Sequence, residues 1–124
     1  MFSFDEIGEI LDEVAEEVPE QFFERLNGGV SLLPETRLHP EDVAGNLYTL
    51  GEYHHDQMGR YIYIYYGSLT QTFPQLDRDG MRAELRRVLF HEFTHHLESL
   101  AGERGLEYKD AMDVAEYKRE WGEE

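Results

Sequence analysis

The feature that most constrains the fold is a run of residues at helical spacing between positions 80 and 101. Apolar side chains recur there every three or four residues, which gives a helix one broad buried face. Asp79 is the predicted N-cap, and Gly102 is predicted to follow the last helical residue. The residues predicted on the buried face are Met81, Leu85, Val88, Leu89, His96, Leu97 and Leu100. The sequence therefore predicts one long helix as its main element.

Shorter elements precede and follow this helix. Ser3 and Glu6 form a capping-box pattern, which opens an N-terminal helix with apolar residues at helical spacing up to Val18. A short helix is predicted over 20–26 and a C-terminal helix over 106–121. Strands are predicted over 30–33, 47–53 and 60–66, with a turn over 54–59 and irregular chain over 67–79. This order points to an α+β fold in one domain spanning 1–124.

Composition narrows the classes of partner. A net charge of −16 repels nucleic acid phosphates and anionic membrane surfaces, so neither is expected as a partner. The charge itself is interpreted as a solubility feature rather than a sign of a charge-selected partner. The chain has no cysteine, so any metal must be held by His, Asp, Glu or water. It also shows no signal-peptide pattern and no apolar run near the ~20 residues of a membrane helix, so a cytoplasmic location is expected.

The motif that carries chemistry is His-Glu-Phe-Thr-His at 91–95, inside the long helix. His91 and His95 are four residues apart, so they stack about 6 Å apart on one side, where both can bind one Zn²⁺. Glu92 is turned about 100° from His91, into the apolar face, where a carboxylate is costly unless a metal-bound water partners it. The pattern predicts His91 and His95 as metal ligands and Glu92 as general base. Two ordinary helix histidines remain the alternative.

The motif leaves the third metal ligand open. In the metzincin pattern a Gly and a third His follow the second His by three and six residues. Glu98 and Ala101 occupy those positions here. Glu98 lies two turns beyond His91, so it is expected to hydrogen-bond His95 rather than bind the metal. His96 points into the apolar face and is predicted to be a core histidine.

Acidic residues after the long helix are the other candidates. If the helix 106–121 folds back antiparallel, carboxylates on its inner side would face the histidine pair. Each of them is also interpreted, on its own, as an ordinary solvated helix charge. The candidates are Glu103, Glu107, Asp110, Asp113 and Glu116.

Two further clusters could contribute to a site. His54-His55-Asp56 could bind a metal or border a cleft, but adjacent strand residues point to opposite faces, so a surface turn is favoured. The tyrosines at 61, 63, 65 and 66 could supply an oxyanion donor, and the first three share one strand face. Structural packing is favoured for these rings.

Two segments carry a resemblance to a known family. Val-Leu-Phe-His-Glu-Phe-Thr-His-His at 88–96 and Arg-Tyr-Ile-Tyr-Ile-Tyr-Tyr-Gly-Ser-Leu at 60–69 resemble the minimal zincin-like metallopeptidases, short bacterial and archaeal proteins. The resemblance implies a small sheet packed on the HExxH helix, one zinc per chain, His91 and His95 as ligands and Glu92 as general base. Relatives commonly place Phe-Gly and then an acid after the doubled His. Here Leu-Glu-Ser-Leu-Ala-Gly stands at 97–102, and Asp110 is the nearest counterpart of that acid, so the resemblance implies Asp110 as the third ligand.

The sequence thus predicts a zinc metallopeptidase that hydrolyses peptide bonds in a peptide or protein substrate. The alternative is a non-catalytic, metal-stabilised domain that serves as a binding or regulatory module. The missing third histidine and the small size of the chain favour that alternative. The substrate and the oligomeric state are not predicted.

Overall fold

The computed structural model describes residues 2–42, 44–45 and 47–104 of the chain. Its helices are α1 (Phe4–Ala15), α2 (Tyr66–Thr72) and α3 (Arg78–Arg104), with a 3₁₀ turn at Glu20–Phe23. Its strands are β1 (Gly29–Leu33), β2 (Gly51–Asp56) and β3 (Gly59–Tyr65). Three helices and one three-stranded sheet confirm the α+β class. None of the helices in these residues is long and apolar enough to cross a membrane.

The sheet has the order β1-β3-β2, with β3 in the centre. β1 runs parallel to β3, with Gly29 opposite Tyr61, and β2 runs antiparallel to it, with Gly51 opposite Ile64. The β2–β3 turn takes only two residues, because the Asp56 carboxylate accepts the amide N–H of Met58 at 2.8 Å and Gly59 adopts a φ of 104°. Because β3 lies in the centre, β2 is an edge strand of the described sheet.

The core lies between one face of the sheet and the two longer helices. Ile62 and Ile64 of β3 are fully buried, as the strict alternation of the strand predicts. Helix α1 contributes Ile7, Ile10 and Val14, each no more than 1% exposed. The α3 residues of this core are Met81, Leu85, Val88, Leu89, Phe90 and Phe93.

The capping box predicted for α1 is present. The Ser3 hydroxyl accepts the Glu6 amide N–H at 3.1 Å, and the Glu6 carboxylate accepts the Ser3 amide N–H at 2.7 Å. These bonds satisfy backbone donors that the first helical turn otherwise leaves unpaired. They fix where α1 begins.

Ion pairs join α1 and the segment just after it to α3 along their solvent-facing edge. Arg78 donates to both carboxylate oxygens of Glu13, and Arg82 lies between Glu13 and Glu17. Arg86 Nε donates to Glu17 at 2.8 Å. The hydrogen bond from Arg86 outweighs partial burial and lowers the pKa of Glu17 below 4.5.

We expect Glu17→Gln to lower the Tm at pH 7 by about 2–4 °C, as for a network of half-exposed ion pairs. Because the folded-state pKa of Glu17 lies below the unfolded value of 4.5, its contribution is full above pH 4.5 and is lost as pH falls through the folded pKa. The Tm difference between the wild type and Glu17→Gln should therefore shrink below pH 4.5. Thermal melts from pH 7 to pH 3 measure it, and a difference independent of pH would contradict this account.

Helix α2 corrects the expectation of irregular chain over 67–79. Gly67 explains the wrong expectation, because a glycine at the start of this segment was interpreted as the beginning of irregular chain. Its amide donates to the Glu35 carbonyl at 2.9 Å, and a Cβ at this position would lie 2.7 Å from the same oxygen. Gly67 thus permits a close approach between two segments and does not break the chain.

The bounds of α3 also differ from the prediction. Asp77 caps the helix instead of Asp79, since its carboxylate accepts the Gly80 amide N–H at 2.8 Å and its carbonyl accepts that of Met81 at 2.9 Å. Gly102 lies within α3 and not after its end. The predicted helix 106–121 lies outside the described residues.

Two elements predicted in the first half of the chain have different bounds in the structure. Residues 47–49 do not belong to β2, because they pair with an earlier segment: the amide of His39 donates to the Leu47 carbonyl and that of Thr49 to the Arg37 carbonyl, both at 2.8 Å. Leu50 precedes β2, and its carbonyl accepts the Tyr65 amide N–H at 3.0 Å. We call the described residues between 37 and 49 (37–42, 44–45 and 47–49) the hairpin. The short helix predicted over 20–26 is the 3₁₀ turn Glu20–Phe23.

Candidate functional site

The two motif histidines converge on one face of α3. Nε2 of His91 and Nε2 of His95 lie 3.0 Å apart, and the rings meet edge to face with centroids 4.6 Å apart. This contact follows from the helix itself, which stacks residues i and i+4. The sequence prediction that the two imidazoles share one side of the helix is thus matched by the geometry.

The three residues between these histidines are buried. Glu92 is 7% exposed, Phe93 is fully buried and Thr94 is 3% exposed. Thr94 donates its hydroxyl proton to the Phe90 carbonyl at 3.0 Å, which accounts for its burial within the helix. Glu92 therefore sits at the boundary between the core and the histidine pair.

A cleft of about 1020 Å³ opens beside this face of α3. Three walls enclose it: α3, the edge strand β2 and the hairpin. His91, Glu92 and His95 all line it. The other lining residues are His39, Pro40, Tyr48, Thr49, Leu50, Gly51, Glu52, Tyr53, His54, Arg87, Val88, Glu98 and Ser99. The motif is thus open to a molecule of peptide size.

The structure places Glu98 beside His95. Its Oε1 lies 3.6 Å from Nδ1 of His95, on the ring nitrogen that does not face His91. This is ion-pair distance, longer than a hydrogen bond, so Glu98 lies beside His95 but these two atoms do not form the expected hydrogen bond. Among residues 2–42, 44–45 and 47–104, no three His, Asp or Glu side chains form a group that could hold a metal ion. Asp110, Glu107, Asp113 and Glu116 lie outside the described residues, as does the side chain of Glu103.

His96 is the core residue that its position predicted. It is fully buried, and its Nε2 donates to the Glu24 carbonyl at 2.9 Å. Nδ1 then accepts the hydroxyl proton of Tyr53 at 3.0 Å. Burial lowers the pKa of His96 below 6.5. The neutral ring thus connects α3 to β2 and to the segment before β1, and it stands behind the cleft.

His54 is not in a surface turn, contrary to the favoured interpretation. It lies on β2, lines the cleft and donates to Glu52 at 3.1 Å. Tyr65 donates to the same Glu52 oxygen at 2.5 Å. Burial alone would raise the pKa of Glu52, but the bonds from Tyr65 and His54 outweigh it and hold the pKa below 4.5. His55, the next residue, pairs with Arg60 and does not line the cleft.

The strand tyrosines pack as expected and do not line the cleft. His54 stacks on Tyr61 with ring centroids 4.9 Å apart, and Tyr61 and Tyr63 are 5.0 Å apart. Burial, together with the bond to Glu52, raises the pKa of Tyr65 to about 12. The tyrosines that do line the cleft are Tyr48 and Tyr53.

The cleft residues that sequence reasoning missed include His39, Tyr48, Tyr53 and Arg87. His39 and Tyr48 come from the hairpin, whose pairing leaves no periodic signal. Arg87 did have a signal, because it precedes His91 by four residues and so shares its side of α3.

Comparison with known proteins gives a relative but no activity. No family model and no curated protein matches the chain. Among solved structures, it is similar to a conserved hypothetical protein from Thermus thermophilus, with 34% sequence identity and a TM-score of 0.69. The match covers 82% of this chain and 99% of that chain.

Proposed function

This chain belongs to the family of the conserved hypothetical protein from Thermus thermophilus, and we propose that it is a zinc-dependent peptidase of the zincin type. One observation carries the proposal. Two imidazole Nε2 atoms converge to 3.0 Å in the wall of a cleft, and the buried Glu92 lines the same cleft. This is the set of groups that hydrolysis by an activated water requires.

The donor set fits a zinc ion. Neutral imidazole nitrogen is a preferred zinc ligand, and two nitrogens bound to one tetrahedral zinc lie about 3.4 Å apart. The separation of 3.0 Å needs only a small ring rotation to reach this value. Glu98 lies beside Nδ1 of His95, where a carboxylate orients a ligating ring and makes it more basic. Asp110 is the third ligand that we propose.

In the proposed reaction, the chain's own residues position the substrate and move one proton. Zinc, when bound, supplies a Lewis acid for the scissile carbonyl and lowers the pKa of the attacking water. The Glu92 carboxylate accepts a proton as the water oxygen attacks the carbonyl carbon. The same proton passes to the leaving amine as the C–N bond breaks, which leaves one carboxylic acid and one amine.

The placement of β2 supports the same proposal. β2 is an edge strand of the described sheet and borders the cleft along residues 51–54. It also packs directly against α3, since a Cβ on Gly51 would meet Val88 at 3.0 Å. We propose that this arrangement, in which the motif helix α3 packs beneath the sheet edge formed by β2, is zincin-like.

We expect the purified wild type to contain about one zinc per chain, and His91→Ala and His95→Ala each to lose it. His55→Ala is the matched control, because His55 does not line the cleft, and it should keep the zinc. Elemental analysis of dialysed protein measures this. Full zinc content in His91→Ala would contradict the assignment.

A non-catalytic, metal-stabilised module is the second candidate, because the described residues bring only two metal-binding side chains together. Chelation separates the two proposals when it is combined with an assay on a mixed peptide library. A large fall in Tm on chelation, without hydrolysis by the zinc-loaded protein, would favour the module. Hydrolysis that chelation abolishes would favour the peptidase.

A further inference from the structure

We propose that Arg87 selects the substrate by binding a carboxylate one helical turn away from the histidine pair. The inference rests on the proposed function, because it assigns the cleft to a peptide. It adds the class of peptide: one that carries an acidic side chain, or its own C-terminal carboxylate, close to the bond that is cleaved.

Arg87 lies beside the motif in the same wall of the cleft. It precedes His91 by four residues on α3, so the two share one side of the helix and are separated by about 6 Å along its axis. Arg87, Val88 and His91 all line the cleft. A peptide bound across the histidine pair therefore passes within reach of the long Arg87 side chain.

Arg87 differs from the other arginines of α3. Arg78 and Arg82 bind Glu13 of α1, and Arg86 binds Glu17 just after that helix, so these ion pairs join the end of α1 to α3. Arg87 contacts no residue of α1 in the described part of the chain, and no other Lys or Arg there lines the cleft. Among the cleft residues described, it is thus the group with a full positive charge at neutral pH.

Part of the Arg87 guanidinium is bound to Glu84, and its other N–H donors can bind a ligand. Both Nε and Nη2 lie 2.9 Å from a single oxygen of Glu84. No acceptor in the described residues contacts Nη1, and the side chain is 57% exposed. Glu84 thus fixes the direction of the guanidinium, while donors remain for a ligand. A planar fork of N–H donors matches a carboxylate better than any other group of a peptide.

The net charge of the whole protein makes the positive charge of Arg87 necessary for an acidic peptide to bind. A net charge of −16 repels acidic ligands at long range. An acidic peptide therefore binds only if the cleft itself provides a cation at close range. A half-exposed pair of this kind should change affinity by about five-fold, and less at high salt.

The test uses zinc-loaded Glu92→Gln protein, so that binding is measured without hydrolysis. The probes are acetylated, amidated octapeptides of Ala and Gln with a single Glu moved through all eight positions, and the same all-neutral peptide with a free C-terminus. We expect one of these carboxylates to raise affinity about five-fold over the neutral, amidated peptide. A Glu peptide that gains affinity identifies an acidic side chain as the ligand, and the free C-terminus identifies a terminal carboxylate.

Arg87→Gln, added to Glu92→Gln, should remove the preference, and Arg87→Lys should keep part of it. Arg82→Gln is the matched control, since Arg82 binds Glu13 of α1 and does not line the cleft. Equal affinity for all the peptides, no measurable binding, or a preference that survives Arg87→Gln would each overturn the inference. A wild type that hydrolyses none of the peptides overturns the proposed function alone, because binding to Glu92→Gln protein decides the role of Arg87 separately.

Discussion

Glu92→Gln is expected to lower kcat/KM for peptide hydrolysis by about a thousand-fold or more, because it removes the group that takes the water's proton. The amide has nearly the same shape as the carboxylate, so the buried position, 7% exposed, should tolerate it. Zinc content should stay at the wild-type level, since Glu92 is not one of the proposed ligands. Steady-state kinetics and elemental analysis of the same preparation measure both.

The matched control for this change is Glu98→Gln. Glu98 also lines the cleft, but it acts through His95, so its loss should cost about 10–100-fold in zinc affinity or activity. Full activity in Glu92→Gln would exclude Glu92 as the base. Loss of zinc along with activity would instead mean that the carboxylate belongs to the metal site.

Phe93→Ala is expected to destabilise the fold by about 3–5 kcal/mol, as for the loss of a whole aromatic side chain from a core. Phe93 is fully buried and contacts Phe23 edge to face, with centroids 5.0 Å apart. It also lies near His96, at 6.3 Å between centroids. Because a domain is stable by only about 5–15 kcal/mol, Tm should fall by more than about 10 °C.

Urea and thermal unfolding of zinc-free protein measure this change, so that loss of metal does not contribute. Met58→Ala serves as the control, because Met58 is 83% exposed in the β2–β3 turn, and it should change stability by less than about 0.5 kcal/mol. If Phe93→Ala cost no more than Met58→Ala, the described packing behind the motif would be wrong.

The parts of the fold that the sequence predicted are those with a periodic signal. The alternation at Ile62 and Ile64, the capping box at Ser3 and the helical spacing around the motif all appear in the structure. Each depends on local geometry, in which side chains two or four residues apart share a face. The burial of Glu92 and His96 was predictable for the same reason.

The parts that failed depend on contacts between distant segments. Gly67 looked like a breaker, but its role is set by Glu35, 32 residues earlier. Residues 47–49 were predicted as part of a strand of the sheet, but they pair with residues 37–39 instead. His54 looked like part of a turn, since nothing local marks where β2 ends. A cleft whose three walls come from separate segments is a tertiary feature. The sequence predicted only the wall that α3 forms.

The pairing of α1 with α3 has a consequence for how the chain is made. Glu13 and its partner Arg78 are 65 residues apart in sequence, and ribosomes add about 5–20 residues per second. The apolar face of α1 therefore leaves the ribosome about 3–13 seconds before the helix that covers it. During that interval Ile7, Ile10 and Val14 have no native partner on α3. The apolar face of α1 is thus exposed to aggregation during that interval, and the acidic residues of that helix supply the charge that opposes self-association.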